Sequence, residues 1–192
     1  SWWRGSLASE KWRAAAVVGV AILVCHWPVL SAASGQSMRA ATHYNVAQDL
    51  QMAGRSDEAI AEYRAALALW PDLADAHSNL GLLLAATGAH DEALQQYRDA
   101  LRIDPNMSEA HVNLGLELAA RHQTGDALAS FERAVALDST SATAHYNLGT
   151  LLAAEGRLDA AMQHLQTAVT LRPDFPEARE NLALVRAAAK GK

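Results

Sequence analysis

The chain has 192 residues, a formal net charge of −5, an apolar fraction of 51% and a single cysteine. That composition builds a core, so it excludes a mostly disordered chain. One cysteine excludes a disulfide framework or a Cys-rich zinc site, and the acidic balance argues against general nucleic-acid binding. The charge is unevenly placed. Residues 1–39 carry Arg4, Lys11, Arg13 and Arg39 against Glu10, a net +3, which leaves −8 for the remainder.

Residues 14–33 contain no Asp, Glu, Lys or Arg. At about 1.5 Å per helical residue such a stretch spans ~30 Å, the thickness of a bilayer's hydrocarbon core. Trp12 lies at one end of it and Trp27 near the other, and Trp2 and Trp3 add to a basic flank over residues 1–13. These features predict a transmembrane helix over 14–33, with the N-terminus cytoplasmic and everything that follows outside the cytoplasm. A permanent anchor, a cleaved signal peptide, and the last span of a longer multi-pass protein all fit this segment. Residues 34–39 read as a short polar linker.

From Ala40 the chain repeats every 34 residues without insertion. Pro71, Pro105, Ser139 and Pro173 share one column, and Ala47, Gly81, Gly115 and Gly149 another. Further columns hold Ala59, Ala93, Ala127 and Ala161, and Tyr63, Tyr97, Phe131 and Leu165. Within a unit the apolar period is helical up to a glycine such as Gly88, resumes, and stops before the proline, which describes a helical hairpin. Gly54, Gly88 and Gly156 stand where the first helix must end, but His122 takes that place in the third unit, so its turn is expected to be the least regular. The units run over 40–73, 74–107, 108–141 and 142–175, with 176–192 as a capping helix and tail. One hairpin cannot bury its own apolar face, so the units must stack.

These columns resemble the tetratricopeptide repeat (TPR) family, with His in place of its first Trp. The resemblance implies an all-α, right-handed solenoid of TPR hairpins, here preceded by one N-terminal transmembrane helix. It also implies a concave surface lined by the first helix of every unit. On that surface Asn45, Asn79, Asn113, Asn147 and Asn181 recur in one column. Asn is a mediocre helix former, so its repetition points to work for the amide, either gripping an extended peptide or fixing the spacing of repeats. The column resembles the asparagine ladder of O-linked N-acetylglucosamine transferases, which implies substrate-peptide binding.

Around the ladder stand Tyr44 and Tyr146 in one column and Gln48, Leu82, Leu116 and Thr150 in another. The groove so composed suits an extended, partly apolar segment. It lacks the Lys positions of chaperone-binding TPR clamps. His43, His77, His111 and His145 also repeat, but at about 10 Å per repeat they cannot share a zinc, which needs nitrogens at about 2 Å. They read as packing within each hairpin. There is no phosphate-binding glycine loop, nucleophile elbow or His-Glu-x-x-His helix, so no cofactor, metal, small-molecule substrate or catalysis is expected. The leading expectation is a membrane-anchored TPR adaptor for a protein or peptide partner. The alternative is the last span and C-terminal TPR tail of a multi-pass membrane glycosyltransferase, with catalysis upstream.

Overall fold

The computed structural model describes residues 35–190, and these form nine α-helices. The first, α1, covers residues 35–52. It is followed by α2 (Ser56–Leu69), α3 (Ala74–Ala86), α4 (His90–Ile103) and α5 (Ser108–Ala120). The array continues through α6 (Thr124–Leu137), α7 (Ala142–Ala154), α8 (Leu158–Leu171) and α9 (Pro176–Lys190). Pairs α1/α2 to α7/α8 are the four hairpins, and α9 packs on α8. The expected transmembrane helix over 14–33 and the flank over 1–13 lie outside the described residues. Among the described residues no helix is long and apolar enough to cross a membrane.

One boundary differs from the sequence reading. Residues 35–39, expected as a linker, are helical and continuous with α1. The segment is polar, but its backbone is held by local bonds: Arg39 Nε donates to the Gly35 carbonyl at 3.2 Å, and Thr42 Oγ1 to that of Met38 at 3.0 Å. Polarity excluded burial of this stretch; it did not exclude helix.

Each hairpin closes in the same way. The first helices of the four units end at Gly54, Gly88, His122 and Gly156, all with positive φ (73°, 86°, 59° and 73°). The residue after each donates to a carbonyl five positions back: Arg55 to Leu50, Ala89 to Leu84, Gln123 to Leu118 and Arg157 to Leu152, at 2.8–3.0 Å. The third turn is therefore as regular as the others. His122 is forced into the left-handed region that glycine occupies freely, so the departure appears as backbone strain and not as altered geometry. Acidic residues open the second helices, Asp57 and Glu58 in α2 and Asp91 and Glu92 in α4, where they complement the positive end of the helix dipole.

The small-residue columns set how closely the helices approach. Ala59, Ala93, Ala127 and Ala161 are fully buried, and so, within 2%, are Tyr63, Tyr97, Phe131 and Leu165. Gly81, Gly115 and Gly149 lie against the last three of these, leaving no room for a Cβ. The buried apolar residues form two clusters. One runs from Ala47 to Tyr97 and the other takes in Leu94 and continues to Val185, with half-buried Leu114 touching both.

Where the second unit meets the third, a polar group stands beside these apolar contacts. Glu117, only 9% exposed, stands where the second and fourth units have Leu83 and Leu151. His90 Nδ1 lies 3.2 Å from its carboxylate, and Arg121 Nη1 donates to Asp91 Oδ1 at 2.6 Å while its buried Nε has no partner. Glu117 also joins burial in raising the Tyr97 hydroxyl above its usual range.

Candidate functional site

The first helices α1, α3, α5, α7 and α9 stand side by side, and hollows open between successive members. One, of about 720 Å³, is lined by Asn45, Gln48, Asp49, Gln51 and Met52 of α1 and Asn79 of α3. The next, of about 290 Å³, joins Leu82 of α3, Glu109, Val112 and Asn113 of α5, and Ser141 and Thr143 at the start of α7. A third holds Thr150 and Asn181 with Leu184 and Val185, and a fourth holds Leu116, Asn147, Thr150 and Phe131. Each of these four carries at least one asparagine of the repeated column. The 34-residue period puts equivalent helix positions at equivalent places in each unit, so one column becomes one row along the groove.

The five asparagines are not equivalent. Asn79 Nδ2 donates to Tyr44 Oη at 3.3 Å, and Gln48 Nε2 donates to the same hydroxyl at 3.0 Å. At the far end Asn181 Nδ2 lies 3.4 Å from Tyr146 Oη and donates to Thr150 Oγ1 at 3.1 Å. Both ends thus tie an asparagine to a tyrosine in the preceding first helix. The middle lacks that tyrosine, having Ser78 and Val112 in its column. Asn113 and Asn147 accordingly have no hydrogen-bond partner among the described residues, and neither does Asn45. An amide with both donor and acceptor unused, facing an open hollow, is a ready contact for a polypeptide backbone.

The two tyrosines are held differently. Tyr44 meets Tyr63 edge to face at 5.8 Å between ring centroids, and burial, with the Asp75 carboxylate nearby, raises its hydroxyl above the ordinary value. Burial pushes Tyr63 up to about 12. Tyr146 lies against Phe175 at 4.8 Å between ring centroids with the rings tilted by 46°, and the Arg172 guanidinium lies over the Phe175 ring at 4.7 Å. Beside the asparagine row, Leu82 and Leu116 remain 43% and 45% exposed. Leu184 extends their column at 62% exposed, with Thr150 between. Sequence reasoning omitted Leu184, Asp49 and Glu109. The register could have found Leu184, which stands 34 positions after Thr150.

The histidine row serves the hairpins. His77, His111 and His145 each place Nε2 within 2.9–3.2 Å of the carbonyl six positions earlier, at Pro71, Pro105 and Ser139. Nδ1 faces the second helix of the same unit. It meets Glu62 at 2.6 Å from His43, the Gln96 amide at 2.7 Å from His77, and His164 Nδ1 at 3.0 Å from His145. Ser130 holds the equivalent position in the third unit and donates instead to the Asp126 carbonyl, leaving His111 Nδ1 buried without a partner.

A stack of two-helix units with a 34-residue register, closed by left-handed turns and flanked by a row of hollows, defines a helical-repeat protein. The tetratricopeptide repeat profile matches residues 44–108 and 112–176, and the chain belongs to that family. Among solved structures, MamA residues 41-end from Desulfovibrio magneticus RS-1 is similar at 23% identity and a TM-score of 0.71, over 79% of this chain and 86% of that one. YrrB, described as a TPR protein with an unusual peptide-binding site, is 27% identical with a TM-score of 0.68, over 78% and 77%. The first TPR of Spaghetti (RPAP3), solved bound to the HSP90 peptide SRMEEVD, is 22% identical with a TM-score of 0.59, over 61% and 93%. No curated protein matches the chain.

Proposed function

We propose that the chain is a protein-interaction module whose row of first helices takes an extended peptide segment, and that it has no chemistry of its own. One observation carries this reading: Asn113 and Asn147 present unpaired amides to hollows that also expose Leu82 and Leu116. Amides along the row match backbone N–H and C=O groups, while the leucines cover apolar side chains. The peptide-binding site named for YrrB supports the same use of this architecture. On the charge asymmetry and apolar run of its first 33 residues, we place the module on a membrane anchor, outside the cytoplasm.

The test is a selection of displayed random peptides on the chain, followed by affinity measurements on a variant carrying both Asn113→Ala and Asn147→Ala. We expect the selected peptides to lose roughly tenfold or more in affinity, on the scale of one or two hydrogen bonds, while helicity and melting are unchanged. Unchanged affinity would overturn the reading. Protease added outside the cytoplasmic membrane should digest the repeats, and resistance until lysis would reverse the orientation.

A further inference from the structure

The charge of the groove says what kind of segment it takes. The three central first helices, α3, α5 and α7, contain no Lys or Arg in their full length. They do carry Asp75 and Glu109, in the column where α9 has Glu177. Glu109 lines the second hollow beside Asn113 and Leu82, Asp49 lines the first beside Asn45, and Asp75 acts on the Tyr44 hydroxyl that Asn79 contacts. None of Asp49, Asp75, Glu109 and Glu177 is in an ion pair among the described residues. Four arginines elsewhere are in ion pairs: Arg55 with Glu58, Arg64 with Glu92, Arg102 with Asp99 and Arg121 with Asp91. The residues lining these four hollows include Asp49 and Glu109 and no Lys or Arg, and one cation reaches the row from outside it, Arg172, which donates to Thr143 Oγ1 at 3.1 Å. Beside that charge runs the exposed aliphatic column of Leu82, Leu116 and Leu184.

We infer that the occupant of the groove is an extended, basic polypeptide segment in which Lys or Arg residues alternate with aliphatic ones. The inference rests on the peptide-binding reading above and gives that peptide its chemistry. The aliphatic side chains lie on the leucine column, the asparagines hold the backbone, and the cations face Asp75, Glu109 and Asp49. An acidic segment, such as the SRMEEVD peptide bound by the RPAP3 repeat, would meet like charge at Asp49, Asp75 and Glu109. Five first helices about 10 Å apart give a row near 40 Å, which about a dozen extended residues would fill.

The experiment uses the full-length chain in a non-ionic detergent and three fluorescent peptides of about a dozen residues. They share one Val/Leu framework and differ only in carrying Lys, Gln or Glu at the alternate positions. Fluorescence anisotropy should rank Lys above Gln above Glu, with the Lys peptide roughly tenfold tighter than the Gln peptide at low salt and the gap closing at high salt. Joint replacement Asp75→Asn with Glu109→Gln, both exposed and free of ion pairs, should abolish the advantage of the Lys peptide over the Gln peptide. Equal binding of Lys and Gln peptides with loss on Asn113→Ala/Asn147→Ala would overturn the charge inference and leave the groove reading standing. Failure of all three to bind, or binding indifferent to both sets of substitutions, would overturn the two together.

Discussion

A Cβ placed on Gly115 would lie 2.6 Å from Cε1 of Phe131, closer than such atoms approach in folded proteins. The same holds for Gly81 against Tyr97 and Gly149 against Leu165, both at 2.8 Å. Inside an ordinary helix, Gly→Ala stabilises by about 1 kcal/mol. Here the overlap falls on buried side chains, where overpacking costs about 1–3 kcal/mol, so the sign reverses. Gly115→Ala should lower thermal stability by several degrees in a calorimetric scan. An unchanged melting temperature would show that the hairpin has slack.

His122 sits at φ 59°, where its unit's neighbours have glycine. A left-handed non-glycine residue costs about 1–2 kcal/mol, against about 0.5–1 kcal/mol of extra chain entropy lost by a glycine on folding. His122→Gly should therefore stabilise the array by roughly 0.5–1 kcal/mol, measured by urea unfolding.

Burial lowers the proton affinity of His111, which the Pro105 carbonyl only partly offsets. Burial and His145 lower that of His164. Both groups start from 6.5 when unfolded, so below that pH the unfolded chain binds more protons than the folded one. The stability they contribute is fully present above pH 6.5 and is lost as pH falls through their folded values. His164→Gln, which copies Gln96 of the second unit, should reduce the acid-side loss. Parallel pH profiles for variant and parent would refute the assignment to this pair.

Glu117 is a buried carboxylate whose neighbour, His90, is largely exposed. Replacing it with the leucine found at that position in the second and fourth units removes a desolvated charge without stranding a buried partner. Glu117→Leu should be neutral or stabilising by up to about 1–2 kcal/mol, and Glu117→Ala destabilising because it leaves a void.

The hairpins, their turns and the packing columns were legible because one period repeats without insertion, so each column could be checked four times. Ala93 and Tyr97 needed only their spacing to be placed in the core. What the groove does with its amides was not legible from the asparagine column alone. Whether Asn79 or Asn113 is free depends on a residue of the preceding unit, Tyr44 or Ser78, and only the fold brings them together. The helical state of 35–39 was missed for the opposite reason: a polar composition was read as a linker, although nothing in it breaks a helix.

The polar group around Glu117 interrupts, at the junction of the second and third units, an apolar interior that only Leu94 and Leu114 carry across. In a linear chain of nearest-neighbour interfaces, cooperativity is limited by the weakest junction. Amide hydrogen exchange should then divide into two blocks meeting near α4 and α5, so that thermal opening of the solenoid begins in its middle and spreads outward, one half able to survive briefly without the other.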